Sequence, residues 1–293
     1  MNEKDIRSVD KRKRFIQGSW FFLFRLLSFL VVGILLFILG FIVRNGAGVI
    51  SWEFLTRPPE DGMTAGGIFP AIVGTVYLVI GSMLFSFPLG VASGIYMNEY
   101  AHNGRIIRFI RIMTNNLSGV PSVVFGIFGM ALFVIWFGWG DSLLAGSLTL
   151  GLLILPVIIR TTEESLRSID NSYREGSRAL GASKLQTIWK VILPMAFPNI
   201  LTGLILAVGR VAGETAPILF TAAAFYLPQL PHSVMDQVMA LPYHLYVIAV
   251  SGEDLEATRP MAYGTALVLI VLVLILNLIS NVIRRHYERK NKH

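Results

Sequence analysis

Arg210 and Glu214 stand four residues apart inside an otherwise apolar stretch, and their types and spacing suit chemistry on a charged solute. Facing hydrocarbon, each would cost on the order of 3 kcal/mol. On a helix, positions i and i+4 share a face, so the two charges can neutralise one another. One reading is a buried ion pair that fixes helix register. The other is a polar pathway in which Arg210 meets an anionic solute. A guanidinium stays charged and matches oxyanion geometry with two parallel N–H bonds. Glu214 would then keep the anion from being held too tightly to leave, and Thr215 follows directly. Gly209 and Gly213 lie about 100° around the same helix, a small-residue pair that lets another helix approach. Pro217 frees the carbonyl of Gly213 and predicts a local distortion.

A second informative stretch is basic. Between Arg160 and Lys190 lie two N-capping signals, Ser172-x-x-Glu175 and Ser183-x-x-Gln186. In each, the Ser oxygen accepts a free N–H of the first turn while the Glu or Gln side chain reaches back to the cap residue. Gly181 lies between them, followed by Ala182, where a left-handed residue would end the first helix. Two short helices meeting at a glycine are expected. In the second, Leu185, Ile188, Trp189 and Ile192 fall on one face. Such an elbow suits the docking of a soluble partner. A helix resting on lipid would account for the amphipathicity but not for two caps in succession.

Nothing points to catalysis within the chain, and no residue is a catalytic candidate. There is no G-x-x-x-x-G-K-[ST] loop, no H-E-x-x-H and no G-x-S-x-G. Glu163 and Glu164 are adjacent, so on a helix they point in different directions and read as a solvated helix end. The absence of cysteine excludes disulfides, thiolate metal sites and iron–sulfur clusters. His102, His232, His244, His286 and His293 have no ligand spacing, so neither metal nor cofactor is expected. If a solute moves uphill, another chain must supply the energy.

The elements that must position these residues are membrane helices. The 293 residues are 54% hydrophobic and 15% charged, with mean hydropathy +0.64. A soluble domain carries about 25% charged residues. The chain therefore reads as an all-α integral membrane protein. Apolar runs of about 20 residues are needed to cross the hydrocarbon core. Six are expected, over 20–43, 68–97, 112–137, 143–160, 195–222 and 261–283. The first is too long for a signal-peptide core and is read as a retained span.

Orientation follows from Lys and Arg. Twenty lie in the tail before residue 20, the 98–111 loop, the 160–190 loop and the tail after 283, against Arg44, Arg57 and Arg259 on the other side. That bias places both termini and the elbow in the cytoplasm. It also accounts for the net charge of +7 and the pI near 9.8 without nucleic acid. The apolar stretch Val238–Val250 is short and contains Pro242, so 223–260 is read as an interfacial or re-entrant piece on the outer side. Pro88 and Gly90 predict a kink or break in the second span. The third run opens with the polar residues 115–122, whose Ser118 and Ser122 are expected to face a bundle interior or a water-filled path.

The domain plan is a cytoplasmic tail (1–19), a first span with its external loop (20–67), a membrane core (68–283) containing the elbow loop 161–193, and a basic cytoplasmic tail (284–293). No soluble domain is expected.

Several segments carry a family resemblance. Glu175-Gly176-Ser177, Gly181 and Val191-Ile192-Leu193-Pro194 resemble the "EAA" loop of bacterial ABC-importer permeases, with Gly-Ser replacing the usual two alanines. The segments 66–75, 119–126 and 210–217 resemble the phosphate-specific branch of that family. Within it, Gly213-Glu214-Thr215-Ala216-Pro217 is similar to the PstA type rather than its sister PstC. The resemblance implies a MetI-like core of six transmembrane helices with cytoplasmic coupling helices, in the bacterial inner membrane. It further implies a PstC-like sister permease, a PstB-like ATPase dimer and a PstS-like external phosphate-binding protein. Ser172, Glu175, Gly181, Ala182, Ser183, Leu185 and Trp189 would then meet the ATPase. Arg210, Glu214, Thr215, Ser118 and Ser122 would line the solute path.

Three other functions fit parts of the pattern. The first is a permease of this architecture for another solute, or the sister subunit. The second is an ion channel using the Arg210 span as a filter, which leaves the elbow without a purpose. The third is an intramembrane enzyme using Glu214, which lacks a second catalytic group at plausible spacing.

Overall fold

The computed structural model describes residues 3–101, 104–251 and 255–290, so His102 and His293 lie outside the described residues. The chain is nearly all helix. Helix α1 (Glu3–Gly46) is apolar from about Gln17 onward, and its most apolar stretch buries no residue against the rest of the chain. A helix hydrophobic all round faces either core or lipid. Its far end is tied down, where the Phe41 and Tyr263 rings meet edge-on at 5.6 Å. Short helix α2 (Trp52–Thr56) follows, its first turn capped by Ser51, whose hydroxyl accepts the Phe54 N–H at 3.1 Å. Strands β1 (Pro59–Glu60) and β2 (Ala65–Gly66) then pair antiparallel across a single turn.

The core is built on α3 (Phe69–Ile95). It packs along its length against helix α6 (Leu143–Arg167), which begins beyond the third span. Small residues on α3 set this seam: Gly81 abuts Ser147, Gly90 abuts Ile158 and Gly94 abuts Thr162. Of the kink or break expected at Pro88 and Gly90, no break occurs, and α3 continues as one helix to Ile95. Gly90 serves close packing instead. A π-turn, Tyr96–Tyr100, ends the helix.

The third span departs most from expectation. Helix α4 (Arg105–Leu117) and helix α5 (Ser122–Gly129, extended by a π-turn to Trp136) meet at 104°. Pro121 explains the break, because a residue before proline is driven out of the helical region. The composition of α4 explains why it lies apart from the span. It carries Arg105, Arg108 and Arg111 beside an exposed face of Ile106, Phe109, Ile110 and Met113, and buries none of its residues. The polar residues 115–119 form the exposed end of α4 and the bend, not an interior face. By length and composition, five helices among the described residues can cross a membrane, or six if this bent pair is one span.

After α6 come α7 (Asn171–Ala179) and α8 (Lys184–Thr187), which runs through a π-turn, Ile188–Ile192, into α9 (Leu193–Ala212). The fifth span therefore starts at Lys184 and stops at Ala212, ten residues short of the expected end. Helix α10 (Ala216–Leu219) is a single turn. The chain beyond it folds back onto the start of α6, where Ser142 N–H donates to Thr221 O at 2.9 Å and Leu143 N–H to Asp236 O at 2.8 Å. Helix α11 (Leu241–Tyr246), prolonged by a π-turn to Ser251, is too short to cross. It packs into the bundle instead, with Leu241 N–H donating to Thr75 Oγ1 at 2.8 Å. Helix α12 (Leu255–Lys290) closes the bundle against α9 and α1.

Candidate functional site

The elbow is a folded unit with defined caps. At its start the structure corrects the expected capping box: Asp170, not Ser172, is the N-cap, and its carboxylate accepts the Ser172 N–H at 2.8 Å. A charged cap gains both the hydrogen bond and the favourable end of the helix dipole, so it outcompetes the serine two residues on. That backbone hydrogen bond holds the Asp170 carboxyl below the usual carboxylate range. At the other end Gly181 has φ +84°, a left-handed conformation that glycine adopts without penalty. Gly181 N–H donates to Arg178 O at 2.9 Å and Ala182 N–H to Ser177 O at 3.2 Å, the paired bonds of a Schellman ending.

The second capping box is present as the sequence suggests. Ser183 Oγ accepts the Gln186 N–H at 3.3 Å, and Gln186 Oε1 accepts the Ser183 N–H at 2.9 Å. The helix it starts does not stand alone, because it runs straight into the fifth span. Pro194 cannot donate, and the ladder shifts to wider bonding just before it, Leu193 N–H reaching Ile188 O. The expected single apolar face is also split. Ile188 and Ile192 are buried, the latter against Leu166, Ala196 and Ile200, whereas Leu185 and Trp189 are 57% and 59% exposed. Leu180, at 90% exposure, and Tyr173 add to that uncovered apolar surface. Glu175, Ser172 and Gly181 are exposed on the same elbow, with Ala182 half-buried.

Sequence reasoning missed what anchors the elbow. Arg174 is 13% exposed and pairs with Glu99, 6% exposed, at 2.7 Å. Its guanidinium also donates to Leu166 O at 2.8 Å and Ile169 O at 2.9 Å, carbonyls in the last turn of α6 and just beyond it. Lys184 Nζ sits 4.6 Å above the Tyr100 ring. Arg174 had counted only as one more positive charge. The available signal was Glu99, a lone carboxylate at the end of an apolar run.

Beside the same turn lies a cavity of about 190 Å³ lined by Met97, Arg111, Asn115, Arg160, Glu163 and Arg167 among others. Glu163 is not the solvated residue expected: it pairs with Arg111 at 2.7 Å and is 17% exposed. Glu164, by contrast, is exposed and pairs with Arg160 along the helix. Among the described residues no three His, Cys, Asp or Glu side chains gather where a metal could sit.

Arg210 and Glu214 do meet, with Nε 3.3 Å from Oε1. They are not on one helix, however, because α9 ends at Ala212 and Glu214 lies in the following turn. Contacts with α6 fix their height. Gly203 abuts Thr161, while Ala216 abuts Gly126, one turn before Gly129 abuts Thr149. The pair therefore lies level with the middle of α6, where the fifth helix is interrupted. Arg210 occupies the last turn of α9, so its charge complements the helix dipole. Its side chain is 40% exposed, against 16% for Glu214.

The expected Gly209–Gly213 seam is half present. Gly209 faces Asn277 of α12, but Gly213 is the helix C-cap and meets no other element. Pro217 is the second residue of α10, where a missing N–H costs nothing. Thr215 precedes that turn, half-buried. Ser118 is exposed, its hydroxyl 3.5 Å from Thr114 O, and Ser122 is half-buried at the start of α5. Among the described residues no hydrogen bond joins either serine to the Arg210–Glu214 pair.

Residues 86–293 match a family model described as "Binding-protein-dependent transport system inner membrane component". "Probable ABC transporter permease protein YqgI" of Bacillus subtilis is 36% identical over 270 residues, covering 87% of this chain and 90% of that protein. "Probable phosphate transport system permease protein PstA" of Methanocaldococcus jannaschii is 35% identical over 275 residues, covering 94% and 93%. "Phosphate transport system permease protein PstA" of Haemophilus influenzae is 32% identical over 256 residues, covering 86% and 88%. Among solved structures, a bacterial alginate ABC transporter with its alginate-loaded periplasmic protein aligns with TM-score 0.67 at 14% identity, covering 93% of this chain and 96% of that one. The inward-facing MetNI methionine ABC transporter aligns at 0.56 and 18% identity, covering 75% and 94%. These two likenesses speak for the fold. The chain belongs to the family of binding-protein-dependent transport system inner membrane components.

Proposed function

We propose that this chain is the PstA-type permease subunit of an ATP-driven importer for inorganic phosphate. It lies in the bacterial inner membrane with both termini and the elbow in the cytoplasm. The observation that carries the substrate is a guanidinium at mid-bundle, at a helix interruption, held by a single carboxylate. An interrupted membrane helix is where transporters place polar solutes, because freed backbone and side-chain groups face a cavity there. The permeases named for phosphate transport that align over most of the chain support the same solute.

The membrane core 68–283 forms the path together with a PstC-like sister permease. A PstB-like ATPase dimer hydrolyses ATP, and a PstS-like binding protein delivers phosphate to the loops at 44–67 and 223–260. The exposed elbow, with Glu175, Leu185 and Trp189 and the caps at Ser183 and Gly181, is the surface that enters the ATPase. ATP binding can drive the cycle only by favouring one docked geometry over another. Arg210, Glu214 and Thr215 form the mid-membrane station, with Ser118 and Ser122 toward the inner mouth.

The test is purification of the tagged chain with its partners and reconstitution into liposomes. ATP-dependent phosphate uptake supports the reading. Uptake of a different solute in its place redirects it, and passive flux without any ATPase turns it into a channel.

A further inference from the structure

The π-turn Tyr96–Tyr100 at the end of α3 is held from three separate elements. From α4, Arg111 donates to Met97 O at 3.1 Å. From α7, Arg174 reaches Glu99 with both Nε and Nη2, at 3.2 and 2.7 Å. From α8, Lys184 lies over Tyr100. Asn98 adds a hydrogen bond to Glu99 at 2.8 Å. Met97 itself is 5% exposed. Besides running on into α6 and α9, the elbow thus meets the bundle at this short turn, and the same turn holds the amphipathic helix that leads into the bent third span.

We propose that this turn is the transmission of the proposed importer, with Glu99 and Arg174 as the positioning pair that makes elbow, α3 and α4 move as one body. The inference rests on the ATPase-docking reading of the elbow. Three properties favour a transmission over simple reinforcement. The pair spans 75 residues of sequence and links the elbow to a different span from those adjoining it. Arg174 is saturated, its five hydrogen bonds including one to Leu166 O in the last turn of α6 and one to Ile169 O just beyond it. A rotation of α7 must therefore carry α3 and α6 with it or break several charge-assisted bonds at once. Finally, Arg111 extends the link through Glu163 to α6, so α4 cannot stay behind when the turn moves.

The absence of cysteine in the chain gives a direct test in the reconstituted complex, once the partner chains' cysteines have been replaced. Glu99→Gln and Arg174→Gln should still copurify with the ATPase and hydrolyse ATP, while phosphate taken up per ATP falls about tenfold. The double variant Glu99→Cys, Arg174→Cys should behave likewise, and bridging its thiols with a short flexible bis-thiol reagent should restore the ratio. An unchanged ratio in both single variants overturns the proposal, as does a bridge that blocks uptake. Loss of ATPase copurification together with uptake assigns the pair to folding and also overturns it. Failure of the underlying reading looks different: the unmodified complex would then take up no phosphate.

Discussion

The hydroxyls of Ser177 and Thr187 lie 3.0 Å apart, joining the two limbs of the elbow across the turn at Gly181. Thr187 is almost wholly buried, so the bond is shielded from water on one side. Together with the Schellman ending and the Ser183 box, it gives the elbow a fixed angle before any partner arrives. A prefolded docking element loses less conformational entropy on binding than a flexible loop would.

Gly181→Ala should therefore disturb the elbow more than its exposure suggests. A side chain at φ +84° costs about 1–2 kcal/mol. Thermal unfolding in detergent should show a lower Tm, and recovery of the ATPase should weaken in step.

The two caps make different predictions for their serines. Ser183→Ala removes a reciprocal box and should cost about 1 kcal/mol of local helix stability. Ser172→Ala should cost less, because the Asp170 carboxylate caps the helix and the Ser172 hydroxyl only supplements the backbone bond to it. Hydrogen exchange at the first amides of α7 and α8 separates the cases.

Asp170 adds a pH dependence. Its folded carboxyl titrates lower than in the unfolded chain, so its contribution is present above the unfolded pKa and is lost as pH falls through the folded one. Protection of the α7 amides should decline on acidification in the native chain. In Asp170→Asn that acid-dependent part should vanish. An unchanged acid profile in Asp170→Asn contradicts the assignment of the cap.

Exposed and buried apolar residues of the same short helix should also separate. Ile188→Ala empties a buried position and should cost about 2–5 kcal/mol. Trp189→Ala leaves the lone subunit's stability nearly unchanged but should reduce ATPase recovery. Glu175→Arg should abolish that recovery while the sister permease still copurifies. Pull-down from detergent with a thermal melt of each variant reads both effects.

Much of this fold was legible because hydrophobicity sets membrane spans directly. The stretch after Val238 could be read as too short to cross, but the seam glycines could not be placed: Gly90 reads as a breaker and packs against Ile158, and Gly213 reads as a seam and caps α9. The third span was misread because the isoleucines and methionine of α4 join the apolar run of α5. Pro121 was the available clue to the bend. The early end of α9 was hidden because residues 215–224 remain apolar, although they pack as a turn and a folded-back segment. The elbow caps could be read in outline, yet Asp170 displaced Ser172 since neighbouring capping residues compete by charge as well as by shape. Glu99 stood out at the end of an apolar run, but its pairing with Arg174 was not legible, because a contact across 75 residues leaves no trace in local periodicity.

In the proposed importer an anion passes the Arg210–Glu214 interruption under force applied by a partner ATPase. This is tested most directly by ATP-dependent uptake of radiolabelled phosphate into liposomes containing the purified complex, with and without Arg210→Gln. The variant should assemble with its partners and take up almost no phosphate, while the native complex should accumulate it only with ATP. Undiminished uptake by Arg210→Gln, or accumulation by this chain without a partner ATPase, would contradict it.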